Sequence, residues 1–176
     1  MSRCCSTNGR VMIIVAILVV VVGVFAYLNA GDAGDRLASQ REAEIYIAVD
    51  GERVATVEFD TIEALGQHTF TETLRSSSAA DRDHEYTGVM MRDLFEHLDL
   101  NLEGADQVIT RAVDGYTVAL TVEEVLEDGN VYIVYEVNGE PLAPKEEGGT
   151  GPYQVVIRQD QFAQRWNKFL MELELR

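Results

Sequence analysis

One segment constrains this chain more than any other, an uninterrupted apolar run from Val11 to Leu28. Its 18 residues include no charged side chain and no amide. About 20 apolar residues in a helix cross the hydrocarbon core of a bilayer, so the run is just long enough to span it. The run predicts a single transmembrane anchor at residues 11–28, followed by the part of the chain that folds in water.

The charges beside the apolar run predict its orientation. Arg3 and Arg10 precede the run, whereas the first acidic residues follow it. Cytoplasmic flanks of membrane helices carry an excess of arginine and lysine. We therefore expect residues 1–10 to form a cytoplasmic tail of a single-pass cell-membrane protein, with the remainder extracytoplasmic. The alternative is a cleaved signal peptide, although the apolar run is longer than the usual core of a signal.

The cysteines lie in an unusual place. Cys4 and Cys5 are the only two in the chain, and both precede the apolar run. This placement excludes a disulfide framework, a zinc site of paired cysteines and a cysteine nucleophile in the folded part. On the cytoplasmic side of the membrane the pair fits either reversible acylation or two unmodified thiols.

The folded part is strongly acidic. Residues 29–40 are small and polar and are predicted to be a flexible linker, which places the domain at residues 41–176. Beyond residue 30 the chain has 12 basic and 30 acidic residues. Nucleic-acid binding depends on clustered cations, so this balance excludes a nucleic-acid partner. A hydrophobic content of 47% excludes a disordered chain.

Hairpin signals set the fold class. Asp50-Gly51, Asp114-Gly115 and Asn138-Gly139 each lie beside β-branched and apolar segments, as two-residue hairpin turns do. We therefore predict an α+β fold with a mixed, mostly antiparallel sheet or squashed barrel and short helices. The predicted strands are 44–49, 53–59, 67–74, 107–113, 116–120, 131–137, 153–157 and 169–175.

Three short helices and one long loop complete the prediction. Apolar residues recur at i, i+3, i+4 and i+7 from Met91, which predicts an amphipathic helix over 91–100. The segment 121–124 fits a capping box, and Asp60 or Thr61 is expected to cap a helical turn that ends at Leu65. The segment 75–85 is polar and charged and is predicted to be an exposed loop.

The order of several motifs carries a resemblance. YTGVMMRDLFEHLDL (86–100) is followed by DGY (114–116), NGEPL (138–142), GGTGP (148–152) and WNKFL (166–170). In this order the motifs resemble the molybdopterin-binding domain of the sulfite oxidase superfamily, over about residues 44–176. The resemblance implies that domain's fold. It also implies a ligand cleft lined by the segment before Tyr86, the 114–116 hairpin and the 148–152 loop.

The chain departs from this family in ways that bear on chemistry. The resemblance implies that a cysteine thiolate before Tyr86 would bind molybdenum, but residues 69–85 contain no cysteine. Ser76, Ser77 and Ser78 lie there instead, and a neutral hydroxyl is a poor replacement for a soft thiolate. The arginine expected beside the glycine-rich loop is also missing, and the nearest one is Arg158. We therefore expect no metal and assign no catalytic residue.

The resemblance also implies a set of residues for binding a pterin or molybdopterin. Arginines would hold an anion, Ser76 would contribute an oxygen, Tyr116 would lie against a ring, and loop amides would bind phosphate. Each of these residues also has a purely structural alternative. The arginine would pair with an acid on its own helix, the tyrosine would lie in the core, and the glycine-rich segment would be a simple connecting loop. The predicted cofactor-binding residues are Arg75, Ser76, Arg92, Arg111, Tyr116, Gly148 and Gly149.

Three functions stay open at this point. The first is a membrane-anchored, extracytoplasmic domain that binds a pterin or a membrane or extracytoplasmic protein partner without catalysis. The second is a subunit of a molybdopterin-dependent oxidoreductase of the sulfite oxidase type. The third is a structural or regulatory interaction domain that binds no ligand.

Overall fold

The structure is a computed structural model that describes residues 5–76 and 79–176. It begins with a long helix, α1 (Cys5–Arg41), which contains the predicted anchor. The chain divides into a segment that ends at Asp35 and a compact unit, Arg36–Arg176. Within the described residues, no helix is both long enough and apolar enough to cross a membrane.

The segment predicted to be a flexible linker is helical. Residues 29–40 lie in α1, because alanine, leucine, glutamine and arginine in this stretch favour helix despite two glycines. The end of the helix also belongs to the compact unit. Gln40 is 1% exposed, and its Nε2 donates a hydrogen bond to the carbonyl oxygen of Tyr135 at 2.6 Å.

The first sheet joins the two ends of the compact unit. Its strands are β1 (Glu44–Val49), β2 (Glu52–Glu58), β5 (Gln107–Ala112), β6 (Thr117–Thr121) and β10 (Leu170–Leu175), in the order β2-β1-β10-β5-β6. All neighbours are antiparallel except β1 and β10, which pair in parallel. The predicted strands of this sheet are therefore present, with boundaries that differ by at most one residue.

The second sheet carries the segments that matter for the site. It contains β3 (His68–Ser76), β4 (Ala79–Met90), β7 (Val131–Val137), β8 (Glu140–Pro141) and β9 (Gln154–Ile157). Strands β3, β4, β7 and β8 are neighbours in that order, and β9 also pairs with β7. Gly88 permits the close approach of β7, because a Cβ there would lie 2.3 Å from the carbonyl oxygen of Ile133.

The predicted exposed loop at 75–85 is wrong, since most of it forms the long β3–β4 hairpin. Cross-strand pairs run from Thr71↔Glu85 to Leu74↔Arg82. The Oγ1 of Thr73 donates to the Oδ1 of Asp83 at 2.7 Å. The polar composition concealed the strand because backbone pairing, not burial of alternate side chains, supports this part of the hairpin. Ser77 and Ser78 lie outside the described residues.

The helices of the compact unit are short. They are α2 (Phe59–Ala64), α3 (Met91–His97) and α4 (Val122–Leu126), with 3-10 turns at Leu102–Gly104, Lys145–Glu147 and Ala163–Arg165. The capping box at Thr121 and Glu124 is confirmed, with both reciprocal hydrogen bonds present. The predicted cap of α2 is wrong. Its N-cap is Glu58, which makes no side-chain capping bond in the described chain, and Asp60 already lies inside the helix.

A single hydrophobic cluster contains residues of both sheets and of α3. Ile45 and Ile47 of β1, Ile133 of β7, and Leu94 and Phe95 of α3 are fully buried within it. The predicted mixed α+β architecture with mostly antiparallel sheets and short helices is thus confirmed.

Candidate functional site

A cleft of about 190 Å³ opens between the β3–β4 hairpin and the loop that contains Gly148 to Pro152. We call it the hairpin cleft. Its apolar walls are Leu74, Tyr86, Val137, Leu142 and Ala143. Its polar lining residues are His84, Thr150, Gln154 and Lys168.

The glycine-rich loop is held tightly against the chain that precedes it. A Cβ on Gly149 would lie 1.9 Å from the carbonyl oxygen of Ala143, and one on Gly151 would lie 2.4 Å from that of Leu142. The amide of Gly151 donates to the Ala143 oxygen at 2.9 Å. Because side chains are excluded at both glycines, this loop is a close-packed wall of the cleft and not a loose connector.

Two polar groups in the hairpin cleft have no hydrogen-bond or ion-pair partner among the described residues. Gln154 is only 2% exposed, yet its side-chain amide makes no hydrogen bond in the described part of the chain. Lys168 is exposed, and its ammonium forms no ion pair with any described residue. The amide atoms of Gln154 are nevertheless not among the fully buried polar atoms that lack a partner in the described chain, so they are open to the cleft.

An aromatic group forms one side of the cleft. Tyr86 is 4% exposed and lies edge-on to Trp166, with 5.8 Å between the ring centroids. Burial, and then the nearby carboxylate of Glu72, raises the pKa of Tyr86 to about 12, so its hydroxyl stays protonated at neutral pH. That carboxylate is itself paired, since the Nε of Arg158 lies 3.1 Å from its Oε2.

The β3–β4 hairpin is fastened to the turn between β7 and β8. The Nδ2 of Asn138 lies 3.3 Å from the Nδ1 of His84, and its Oδ1 accepts a hydrogen bond from the amide of Glu85 at 3.0 Å. Asn138 has a φ of 54°, which fits its place in the hairpin turn with Gly139. These contacts fix the hairpin wall relative to β7.

Arg111 lies away from the hairpin cleft, on the first sheet. Its guanidinium forms ion pairs with Glu172 and Glu174 of the neighbouring β10. The Nε of Arg176 also donates to Glu174, at 2.6 Å. The hydrogen bond that Arg111 donates to Glu174 is the main reason that the pKa of Arg111 is raised above its ordinary value. The positive charge of Arg111 is thus compensated within the protein.

Arg92 is also occupied. From the first turn of α3 it reaches Asp128, with 2.5 Å between Nη2 and Oδ1, and the carbonyl oxygen of Leu126 at 3.2 Å. It lines a separate surface depression of about 460 Å³, together with Asp93, Glu96 and other residues. The carboxylates in that depression make it unsuited to an anionic group.

The remaining predicted site residues lie on different elements of the fold. Tyr116 is 47% exposed, and its hydroxyl donates to the carbonyl oxygen of Gln164 at 2.7 Å. Arg75 is exposed on β3 and already interacts with another group. Ser76 is the last residue of β3, and Gly148 is the left-handed residue that ends a 3-10 turn. Of the predicted cofactor-binding residues, Gly149 is among the described residues that line the hairpin cleft.

Sequence reasoning missed the two polar groups that distinguish this cleft. Lys168 lies in the WNKFL motif and is one of only two lysines, which was a usable signal in so acidic a chain. Gln154 is a polar residue inside an otherwise apolar strand, and such a residue calls for a partner. Their convergence with the hairpin depends on tertiary structure.

Comparisons with known proteins now assign the domain. Residues 38–176 match the family model described as the oxidoreductase molybdopterin binding domain. The crystal structure of the sulfane dehydrogenase SoxCD from Paracoccus pantotrophus shares the fold, with a TM-score of 0.62 and 16% identity. The match covers 77% of this chain but only 38% of that one. A search of curated proteins finds no significant match. The chain belongs to the oxidoreductase molybdopterin-binding domain family.

Proposed function

We propose that this chain is a membrane-anchored, extracytoplasmic binding module in which the hairpin cleft takes a small organic ligand and no molybdenum chemistry takes place. One observation carries the proposal. The cleft presents Gln154 and Lys168, whose polar groups have no partner among the described residues, and it lacks the thiolate that the family resemblance implies for a molybdenum centre.

The donor set does not fit the metal. Residues 6–176 contain no cysteine, and Ser76 occupies the segment where the family resemblance implies a thiolate. Among the side chains that the structure describes, no three from His, Cys, Asp and Glu are grouped to hold a metal ion. A soft metal favours thiolate over a neutral hydroxyl, so we assign no redox step to these residues.

The cleft is small for a whole molybdopterin, and two of the arginines predicted to hold its phosphate lie elsewhere. Arg111 and Arg92, the arginines predicted to hold an anion, are engaged by Glu172, Glu174 and Asp128. A cleft of about 190 Å³ is smaller than the range of about 300–1,000 Å³ typical of drug-sized ligands. These dimensions favour a compact ring.

Membrane attachment rests on the N-terminal segment. The run from Val11 to Leu28 is apolar throughout, and the arginines of the chain's first 30 residues precede it. The apolar side chains described between Val11 and Phe25 are exposed. Outside a membrane, these valine, isoleucine and leucine side chains would face water. Insertion with the N-terminus in the cytoplasm would cover this surface and place the domain outside.

Metal analysis of the full chain tests the proposal. The chain is produced in a host that synthesises molybdopterin, extracted in detergent and measured for molybdenum per chain. We expect a value far below one, because no thiolate is available to retain the metal. The matched variant Ser76→Cys restores a thiolate in the same hairpin, and a rise in its molybdenum content alone would support the donor argument.

Near-stoichiometric molybdenum in the unaltered chain would overturn the proposal. The oxidoreductase-subunit hypothesis would then take its place. Loss of the metal from Ser76→Ala would in that case identify the serine oxygen as its ligand.

A further inference from the structure

We propose that the C-terminal end of α1 and the two residues after it form a strap that holds one wall of the hairpin cleft, and that release of the strap loosens this wall. The strap is the segment 36–43, and the wall that it holds, here called the loop wall, is the segment 140–151. Both segments belong to the compact unit. The inference rests on the proposed function, because it takes the hairpin cleft as the ligand site.

Ion pairs of Arg36 join the strap to the loop wall. The Nε of Arg36 lies 2.8 Å from the Oε2 of Glu147, which belongs to a 3-10 turn. Its Nη1 lies 3.6 Å from the Oε2 of Glu140 on β8. These two glutamates lie on either side of Leu142 and Ala143, which line the cleft. All three charged side chains are partly exposed, so salt weakens the pairs.

Gln40 attaches the strap at a buried position. Its Nε2 donates to the carbonyl oxygen of Tyr135 at 2.6 Å, and the same oxygen accepts the amide of Leu142 at 2.9 Å. The strap and the loop wall thus share one acceptor. Just beyond the loop wall, the hydroxyl of Tyr153 donates to the carbonyl oxygen of Ala43 at 3.4 Å. The strap therefore contacts the chain on both sides of the glycine-rich loop.

The docked strap leaves one buried polar atom without a bond. Gln40 is buried, yet its Oε1 has no hydrogen-bond partner in the described part of the chain. A buried acceptor without a partner disfavours the docked arrangement relative to one in which water reaches that oxygen. The ion pairs that oppose release are partly exposed. Release of the strap is therefore a local opening that precedes unfolding of the sheets.

Amide hydrogen exchange of the full chain in detergent measures how often the loop wall opens. The reporters are the amides of Gly149 and Gly151, which donate to the carbonyl oxygens of Pro144 and Ala143 at 3.0 and 2.9 Å. These amides are protected while the loop wall is closed and exchange with solvent when it opens. The segment 107–121 of the first sheet is the internal reference.

Single substitutions in the strap test its role. In Arg36→Gln the reporter amides should exchange about three- to tenfold faster than in the unaltered chain, while the reference segment keeps its rate. Gln40→Met retains the length of the side chain but not its donor, and should accelerate the same amides. Arg41→Gln is the matched control. It removes the same charge from an exposed residue that forms no ion pair with any described residue, so reporter exchange should not change.

Salt separates the contribution of the ion pairs from that of the buried hydrogen bond. Between 0.1 and 1 M salt the Debye length falls from about 10 Å to about 3 Å. Reporter exchange, relative to the reference, should rise with salt in the unaltered chain and in Arg41→Gln but stay constant in Arg36→Gln. Equal reporter exchange in Arg36→Gln and the unaltered chain, or equal acceleration of the reference segment, would overturn the strap. The molybdenum content of the unaltered chain is a separate measurement and decides the proposed function by itself.

Discussion

At the scale of single residues, the buried carboxylate of Glu174 is the most consequential group outside the cleft. It is 1% exposed and is held by Arg176 and Arg111. The hydrogen bond from Arg176, reinforced by Arg111, keeps the pKa of Glu174 below its ordinary value. Glu174 lies on β10 and its partner Arg111 on the neighbouring β5, so this ion pair links two strands of the first sheet. The protonation state of Glu174 therefore affects the stability of the domain.

This arrangement predicts a specific dependence on pH. Since the folded-state pKa is depressed, the stabilisation is complete above the unfolded-state value of about 4.3 and is lost as the pH falls towards the folded value. We expect the urea midpoint of the unaltered chain to fall more steeply between about pH 5 and pH 3 than that of Glu174→Gln. Glu52→Gln removes an exposed carboxylate and should retain the steep fall. Parallel pH profiles for the unaltered chain and Glu174→Gln would contradict this role.

At the scale of elements, the short helix α4 depends on its first turn. The amide of Glu124 donates to the Oγ1 of Thr121 at 3.2 Å, and the Glu124 carboxylate accepts from the Thr121 amide at 2.9 Å. Arg165 also contacts Glu124, with 2.7 Å between Nη2 and Oε1. These bonds hold the pKa of Glu124 below its ordinary value, with the Arg165 hydrogen bond as the main cause.

Removing the capping hydroxyl should therefore destabilise the fold. Thr121→Ala is expected to lower the free energy of unfolding by about 1 kcal/mol, the usual effect of losing such a cap. Thr121→Ser keeps the hydroxyl, so its free energy of unfolding should fall by less than that of Thr121→Ala. Chemical denaturation of the three chains measures the difference, and equal stabilities would show that the cap does not contribute.

Local patterns were sufficient to predict several elements but not all. The Asp50-Gly51 and Asn138-Gly139 turns were predictable because the left-handed φ angles that they need favour these residue types. The polar half of the β3–β4 hairpin could not be predicted in this way. Its strands are held by backbone pairing with each other, and their sequence shows no alternation of apolar and polar residues. Nor does any local signal indicate that β1 pairs in parallel with β10, more than 100 residues away.

The same distinction holds for the candidate site. Gly149 could be selected from its motif, and the structure places it on the cleft wall. The arginines could not be ranked from sequence, because only the fold shows that Glu172 and Glu174 lie beside Arg111. Side chains far apart along the chain become one site through packing, and their ion pairs decide which charges remain available.

At the scale of the whole molecule, the proposed topology places the cleft outside the cell and the two cysteines inside it. Cys4 and Cys5 are the only thiols, so the chain carries a native probe at one end. In intact spheroplasts a membrane-impermeant maleimide should not label them, whereas permeabilisation should expose both. In a Cys4→Ser, Cys5→Ser background, Gln161→Cys adds a thiol at an exposed position of the domain. That thiol should react without permeabilisation. Labelling in the reverse pattern would contradict the orientation, and a mature chain without its native thiols would instead establish a cleaved signal peptide.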